Sequence, residues 1–224
     1  MYFKNARITA IAIGLLCIAA FIATFVFRFG ELNSRLHLDQ GEGRIFSPPI
    51  KLPPFKLIDH KGQAFTNKQL QGHWTLISIG FTYCPDVCPM TLAKLADFYD
   101  KFVKEEGPSK RPECIFLSVD PFRDSPKILA DYVTFYRPEF LGLTGAPEEI
   151  FHLIDEIGLY YRYATPDGKT IFQDVLHRPE MQKYSVVHSS QILIINPDNM
   201  VVAMIMQPFE PTRLLELYKK ITKD

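Results

Sequence analysis

The run Gly80-Phe81-Thr82-Tyr83-Cys84-Pro85-Asp86-Val87-Cys88-Pro89 constrains this chain more than any other stretch. Before it, Trp74 to Ile79 is a short apolar segment that reads as a buried strand. After it, Leu92, Leu95, Ala96, Tyr99, Phe102 and Val103 recur at helical spacing, with Lys94, Asp97, Lys101 and Lys104 between them. Two cysteines four residues apart therefore fall where a strand hands over to a helix, and at i and i+4 their sulfurs are expected on one helix face. A helix N-terminus offers unpaired N–H groups and partial positive charge, and both favour thiolate over thiol. What those thiolates hold is the functional question.

The remaining elements follow in an ordered alternation. Phe55 to Ile58 and Gln63 to Phe65 flank Asp59-His60-Lys61-Gly62 as a small hairpin. Gly107-Pro108 stops the first long helix, and Cys114 to Val119 is the next strand, closed by Asp120-Pro121. Asp124-Ser125-Pro126 supplies an N-cap and a first-turn proline for a helix running from Ile128 to Tyr136. Phe140 to Leu143 is a brief strand. Pro147 opens a helix with Ile150, Phe151, Ile154 and Ile157 on its inner face. Residues 164–183 are polar and read as a loop. Gln191 to Ile195 and Met200 to Met206 are strands around the turn Asn196-Pro197-Asp198-Asn199. Pro211 opens a last helix burying Leu214, Leu215, Tyr218 and Ile221. Such an order predicts an α/β fold, a central mixed sheet with helices on both faces. Reactive groups then collect at the carboxyl ends of parallel strands, where residues 81–84 and 120–123 lie.

Charge and hydropathy narrow the setting. Lysine plus arginine and aspartate plus glutamate balance at 25 each, so no net field recruits nucleic acid. Ile8 to Phe27 carries no charge over about 20 residues, enough for one membrane-spanning helix. A cleaved signal peptide would end at a small-x-small site, which Phe25-Val26-Phe27-Arg28-Phe29 does not offer. Lys4, Arg7 and the terminal amine precede the span, so the positive-inside rule puts the N-terminus in the cytoplasm. The expected division is a cytoplasmic start at 1–7, an anchor at 8–27, a stalk at 28–46 and a globular domain at 47–224. So short a start leaves no room for a mitochondrial presequence, which favours a bacterial inner membrane with the domain in the periplasm. Cys17, inside the span, reads as a lipid-facing or packing residue. Three cysteines follow it, and an odd number in an oxidising compartment argues for one working pair plus a buried thiol, Cys114.

The run from Gly80 to Pro89 resembles the signature of the Sco/SenC family, membrane-anchored copper proteins of thioredoxin-like fold. Three further segments carry the likeness: Ser118-Val119-Asp120-Pro121-Phe122-Arg123-Asp124-Ser125-Pro126, Leu141-Gly142-Leu143-Thr144-Gly145, and His188-Ser189-Ser190 followed by a strand and Asn196-Pro197-Asp198. The resemblance implies that Cys84, Cys88 and His188 ligate copper, as Cu(I) or Cu(II). It also implies that Cys84 and Cys88 can close into a redox-active disulfide that abolishes binding. Thiolate selects Cu(I), and imidazole serves either state. The implied client is the binuclear copper (CuA) site in subunit II of cytochrome c oxidase, and a periplasmic copper donor is left open. Where the family usually has Asp before this histidine, Val187 stands here.

Thioredoxin-like oxidoreductases resemble one another in a cis-proline at the position of Val186 to Ser190, and this chain has none there. That leans from thiol exchange towards metal binding, with a thiol–disulfide oxidoreductase as the alternative. The loop before His188 contributes His177, Arg178 and Met181, of which His177 and Met181 are candidate transient soft ligands. His37, His60, His73 and His152 show no companion ligands and read as surface or packing residues. Met200, Met204 and Met206 read as one packed strand face. Asp120 and Arg123 are placed near the site, either shaping a partner surface or capping a loop.

Overall fold

Every residue of one strand, Thr75–Gly80, is buried, so layers cover both of its faces. The computed structural model describes residues 14, 18–24, 43–165, 170–171 and 184–223. In chain order the strands are β1 (Gly43–Lys51), β2 (Lys56–Asp59), β3 (Ala64–Thr66), β4 (Thr75–Gly80), β5 (Glu113–Ser118) and β6 (Leu141–Thr144). They continue as β7 (Tyr161–Ala164), β8 (Thr170–Ile171), β9 (Ser185–His188), β10 (Ile192–Ile195) and β11 (Met200–Ile205). The helices are α1 (Asn67–Leu70), α2 (Val87–Glu106), α3 (Pro126–Tyr136), α4 (Pro147–Glu156) and α5 (Pro211–Lys223).

Eight strands make one mixed sheet in the order β1-β11-β10-β4-β5-β6-β2-β3. β4, β5 and β6 are parallel, and β10 and β2 flank them antiparallel. The parallel centre is mostly apolar, as burial on both faces favours, with the small polar side chains of Thr75, Ser78, Ser118 and Thr144 buried among the rest. α2 and α5 meet through Phe98 and Phe102 packed edge-on or tilted around the buried Tyr218. α3 lies on β6, where Leu129 and Val133 come so close to Gly142 that only glycine fits without displacement. The expected hairpin forms between β2 and β3, and His60 is bound at its tip, its Nδ1 accepting from the Gly142 N–H at 2.9 Å. Cys114 is buried in β5 as expected.

Several elements differ from the sequence reading. α2 begins at Val87, so only Cys88 lies in the helix, and Cys84 sits in the turn before it. Asp86 and Pro85 end the loop, and the helix takes up its periodicity only after them. Residues 164–183 are not loop throughout: Thr170–Ile171 pairs with β7, which also pairs with β9 to make a second, three-stranded antiparallel sheet. His177, Arg178 and Met181 lie outside the described residues. On α4, Ile150, Leu153 and Ile154 are buried while Phe151 turns outward. β11 buries Val201, Ala203 and Ile205, so Met200 and Met204 take its less buried face and Met206 lies beyond its end.

β1 starts at Gly43, four residues inside the predicted stalk, and Gly43, Arg44 and Ile45 pair with Ile205, Met204 and Ala203. β11 runs parallel to β4, both lying antiparallel to β10, so Gly43 enters the domain at the carboxyl end of β4. Of the predicted anchor at 8–27, Gly14 and residues 18–24 are described, and they are helical and exposed. His37, Cys17 and the rest of the anchor and stalk up to residue 42 lie outside the described residues. Among the described residues no helix is long and apolar enough to cross a membrane.

Candidate metal centre

The parallel strands β4 and β5 deliver two loops to one end of the sheet. The first, Phe81 to Asp86, carries Cys84, and the second, Val119 to Ser125, packs beneath it. Asp124 joins them. Its carboxylate is wholly buried and accepts from the Thr82 N–H at 2.9 Å, the Thr82 hydroxyl at 2.5 Å and the Ser118 hydroxyl at 2.5 Å. Burial nevertheless pushes its pKa up, against the pull of those donors. Ser125, not Asp124, caps α3, accepting from the Ile128 N–H at 3.4 Å with Pro126 next to it. The cap signal was legible in the sequence, but the carboxylate turned inward to hold the cysteine loop was not. The triplet Asp124-Ser125-Pro126 fits either register.

Cys84, Cys88 and His188 converge, their ligand atoms all within 4.8 Å of one another. Gly80 makes room: a Cβ there would lie 2.7 Å from both Cys88 Sγ and the Phe116 ring. The imidazole arrives on the last residue of β9, not on a loop, and is fixed on two sides. Its Nδ1 lies 2.7 Å from the Ser189 carbonyl oxygen, and its ring meets Phe81 edge-on at 5.8 Å. A carbonyl only accepts, so Nδ1 carries the proton and Nε2 turns its lone pair to Cys88 Sγ, 3.6 Å away. Ser189 is buried and exchanges two hydrogen bonds with Tyr160: its N–H donates to the Tyr160 carbonyl at 2.9 Å and its hydroxyl accepts from the Tyr160 N–H at 3.0 Å.

The sulfurs differ sharply. Cys84 is half-buried and its pKa is lowered to about 5, first by a hydrogen bond from the Cys88 thiol. Burial opposes this, while the N–H groups of Asp86 and Cys88 add to it. Cys88 is buried, and its pKa is raised by donating to Cys84 and by desolvation. The pair therefore shares one proton, held on Cys88. Metal–sulfur and metal–nitrogen bonds run to about 2.0–2.3 Å, so donors this close can meet on one ion with little movement. Two thiolates and a neutral imidazole are a soft set of low coordination number, matched to copper rather than to hard, oxygen-seeking cations.

The second loop supplies Asp120 and Arg123, which sequence reading left between two roles. Asp120 is wholly buried and takes Arg123 Nε at 2.5 Å and the Tyr184 hydroxyl at 2.6 Å. A cleft of about 420 Å³ beside Trp74, Phe102 and Tyr218 lies at the other end of β4. Its Lys219 is already paired with Glu105 and Glu106, and it has no part in this site.

Comparison with known proteins identifies relatives in sequence and in fold. An SCO2-like protein of Rickettsia prowazekii is 30% identical over 180 residues, 80% of this chain and 81% of that protein. The mitochondrial SCO2 homologue of Mus musculus is 37% identical over 147 residues, and the match spans about half of that relative's length, 52%. Copper-bound ScoI of Arabidopsis thaliana superposes with a TM-score of 0.66 at 32% identity, covering 77% of this chain and 98% of that one. Copper-bound yeast Sco1 does so with a TM-score of 0.66 at 28% identity, covering 79% and 90%. The mixed sheet with its helices is thus the thioredoxin-like fold of those proteins. The SCO1/SenC family model matches residues 47–223, all but the N-terminal fifth of the sequence, and on that match the chain belongs to the SCO1/SenC family.

Proposed function

We propose that this protein carries a single copper ion between Cys84, Cys88 and His188. We further propose that it delivers the ion to the CuA site of cytochrome c oxidase subunit II, and that Ile8 to Phe27 anchors it in a bacterial inner membrane with the domain in the periplasm. One observation carries the reading: two sulfurs of unequal proton affinity and an imidazole with its proton committed elsewhere meet within 4.8 Å. Copper bound to relatives of the same fold supports the choice of metal. Cys84, half-exposed and deprotonated, is the sulfur a client ligand reaches first, and Cys88 holds the ion from beneath. Transfer then proceeds by stepwise ligand exchange without a free ion, and the membrane tether raises the effective concentration near a membrane-bound client. Oxidation of the two cysteines to a disulfide removes both sulfur donors, so redox state gates loading.

Titrating the reduced protein with Cu(I) and Cu(II), with X-ray absorption to count sulfur and nitrogen neighbours, tests the ligand set. Cys84→Ser and Cys88→Ser should weaken binding of both ions and His188→Ala that of Cu(II), and wild-type Cu(II) affinity in His188→Ala would sink the assignment. Mixing two equivalents of the loaded protein, one carrying Cu(I) and one Cu(II), with a copper-free CuA domain should transfer both ions and produce the visible bands of that centre. A second reading, thiol–disulfide exchange that keeps the client's cysteines reduced, draws on the low pKa of Cys84 beside a buried partner thiol. It needs both cysteines but not His188, so His188→Ala separates the two.

A further inference from the structure

The histidine ligand comes from the three-stranded sheet and the sulfur ligands from the loop and helix that follow β4, and one side chain touches both segments. Side chains alternate along β9, so Tyr184, Val186 and His188 share a face while Ser185 and Val187 take the other. Burial agrees: Val186 is buried and Val187 is exposed. Immediately before β9, Tyr184 donates its hydroxyl to Asp120 and accepts at its carbonyl from Arg123 Nη1 at 3.3 Å. The Arg123 guanidinium carbon lies 4.0 Å over the Tyr184 ring, 5.0 Å over Tyr83 and 5.7 Å over Phe81. Tyr83 is the neighbour of Cys84, and Phe81 packs against the His188 ring. The remaining amino group, Nη2, is buried with no hydrogen-bond partner, so three rings and two hydrogen bonds hold the guanidinium.

We propose that Arg123, fixed by Asp120 and Tyr184, is a positioning residue that clips the histidine strand to the cysteine loop and so decides whether the imidazole joins the two sulfurs on the metal. The inference rests on the copper-carrier reading above. The two sulfurs meet on one loop and the helix that follows it, and their approach needs nothing from β9. The imidazole depends on how β9 docks, and at the start of that strand the clip makes the docking contacts. Two thiolates satisfy Cu(I), whereas Cu(II) gains more from the added nitrogen. Loosening the clip therefore spares Cu(I) and costs Cu(II).

The test uses the reduced full-length chain loaded with Cu(I) or Cu(II), with Arg123→Gln, Arg123→Lys and Tyr184→Phe beside it. Arg123→Gln should lower Cu(II) affinity about 10–100-fold, the range for residues that orient a metal ligand. It should also strip nitrogen hyperfine structure from the Cu(II) paramagnetic resonance spectrum while Cu(I) affinity holds. Arg123→Lys should not rescue, because an ammonium lacks the planar fork and stacks poorly. Tyr184→Phe removes one oxygen and keeps the ring, so it carries the test should loss of the arginine prevent folding. It should move the same spectrum in the same direction by a smaller step. Unchanged Cu(II) affinity and nitrogen signal in both Arg123→Gln and Tyr184→Phe overturns the clip, and so does an equal loss for Cu(I) and Cu(II). If the unsubstituted protein shows sulfur neighbours alone, the ligand set itself falls.

Discussion

A methyl group at position 80 would have to occupy space already held by the Cys88 sulfur and the Phe116 ring. Gly80→Ala should therefore destabilise the domain by about 1–3 kcal/mol, the usual cost of overpacking a filled core, and weaken metal binding with it. Urea unfolding and a Cu(I) titration check both arms. The same crowding explains why the two thiols cannot ionise alike. Cys84 has a pKa near 5 against an ordinary thiol value of 9.0, so its thiolate fraction rises through pH 5 and is complete near neutrality. Alkylation of the reduced, metal-free protein by iodoacetamide should occur at Cys84, be half-maximal near pH 5 and level off by neutral pH. A rate still climbing towards pH 9.0 would show that Cys88 and the helix N–H groups do not stabilise the thiolate. By linkage, that depressed value contributes stability that is present above the unfolded pKa and fades as pH falls through about 5.

At the scale of elements, the cysteine loop is held in place by the side chain of another loop. Asp124→Ala would strand the Thr82 N–H, the Thr82 hydroxyl and the Ser118 hydroxyl, at about 1–3 kcal/mol for each donor that stays buried. Thermal unfolding should register the loss, and Cu(I) affinity should drop because Cys84 is no longer held over Cys88. Asp124→Asn keeps the acceptor oxygen and should lose less. Local signals made most elements readable: the apolar run of β4, the helical spacing after Pro89, and the proline at the head of α3. β9 was invisible for a physical reason. Ser185-Val186-Val187-His188 is four residues long, shows no sustained alternation and takes its partners from Tyr161–Ala164. A strand specified by its neighbour and not by its own pattern cannot be seen from its own residues. The sequence placed His188 near the sulfurs through a family likeness, and the tautomer that aims it became visible only with the Ser189 carbonyl.

For the whole molecule, the domain extends further towards the N-terminus than the composition suggested, because Gly43 to Ile45 complete an edge strand on β11. A truncated chain beginning at Gly43 should unfold at a higher denaturant concentration than one beginning at Ser47, and equal midpoints would show that this pairing adds no stability. The ligand positions have a larger consequence. Cys88 and His188 stand 100 residues apart in sequence, with β5 to β9 strung between them. An ion shared by the two is a removable staple across that span, and the chain-entropy cost of closing so long a loop in the unfolded protein is roughly 5 kcal/mol. Loading with Cu(II) should raise the melting temperature of the unsubstituted protein well above that of His188→Ala, where the ion bridges neighbouring sulfurs alone. Handing over the cargo therefore leaves behind a protein that unfolds more readily than the one that arrived.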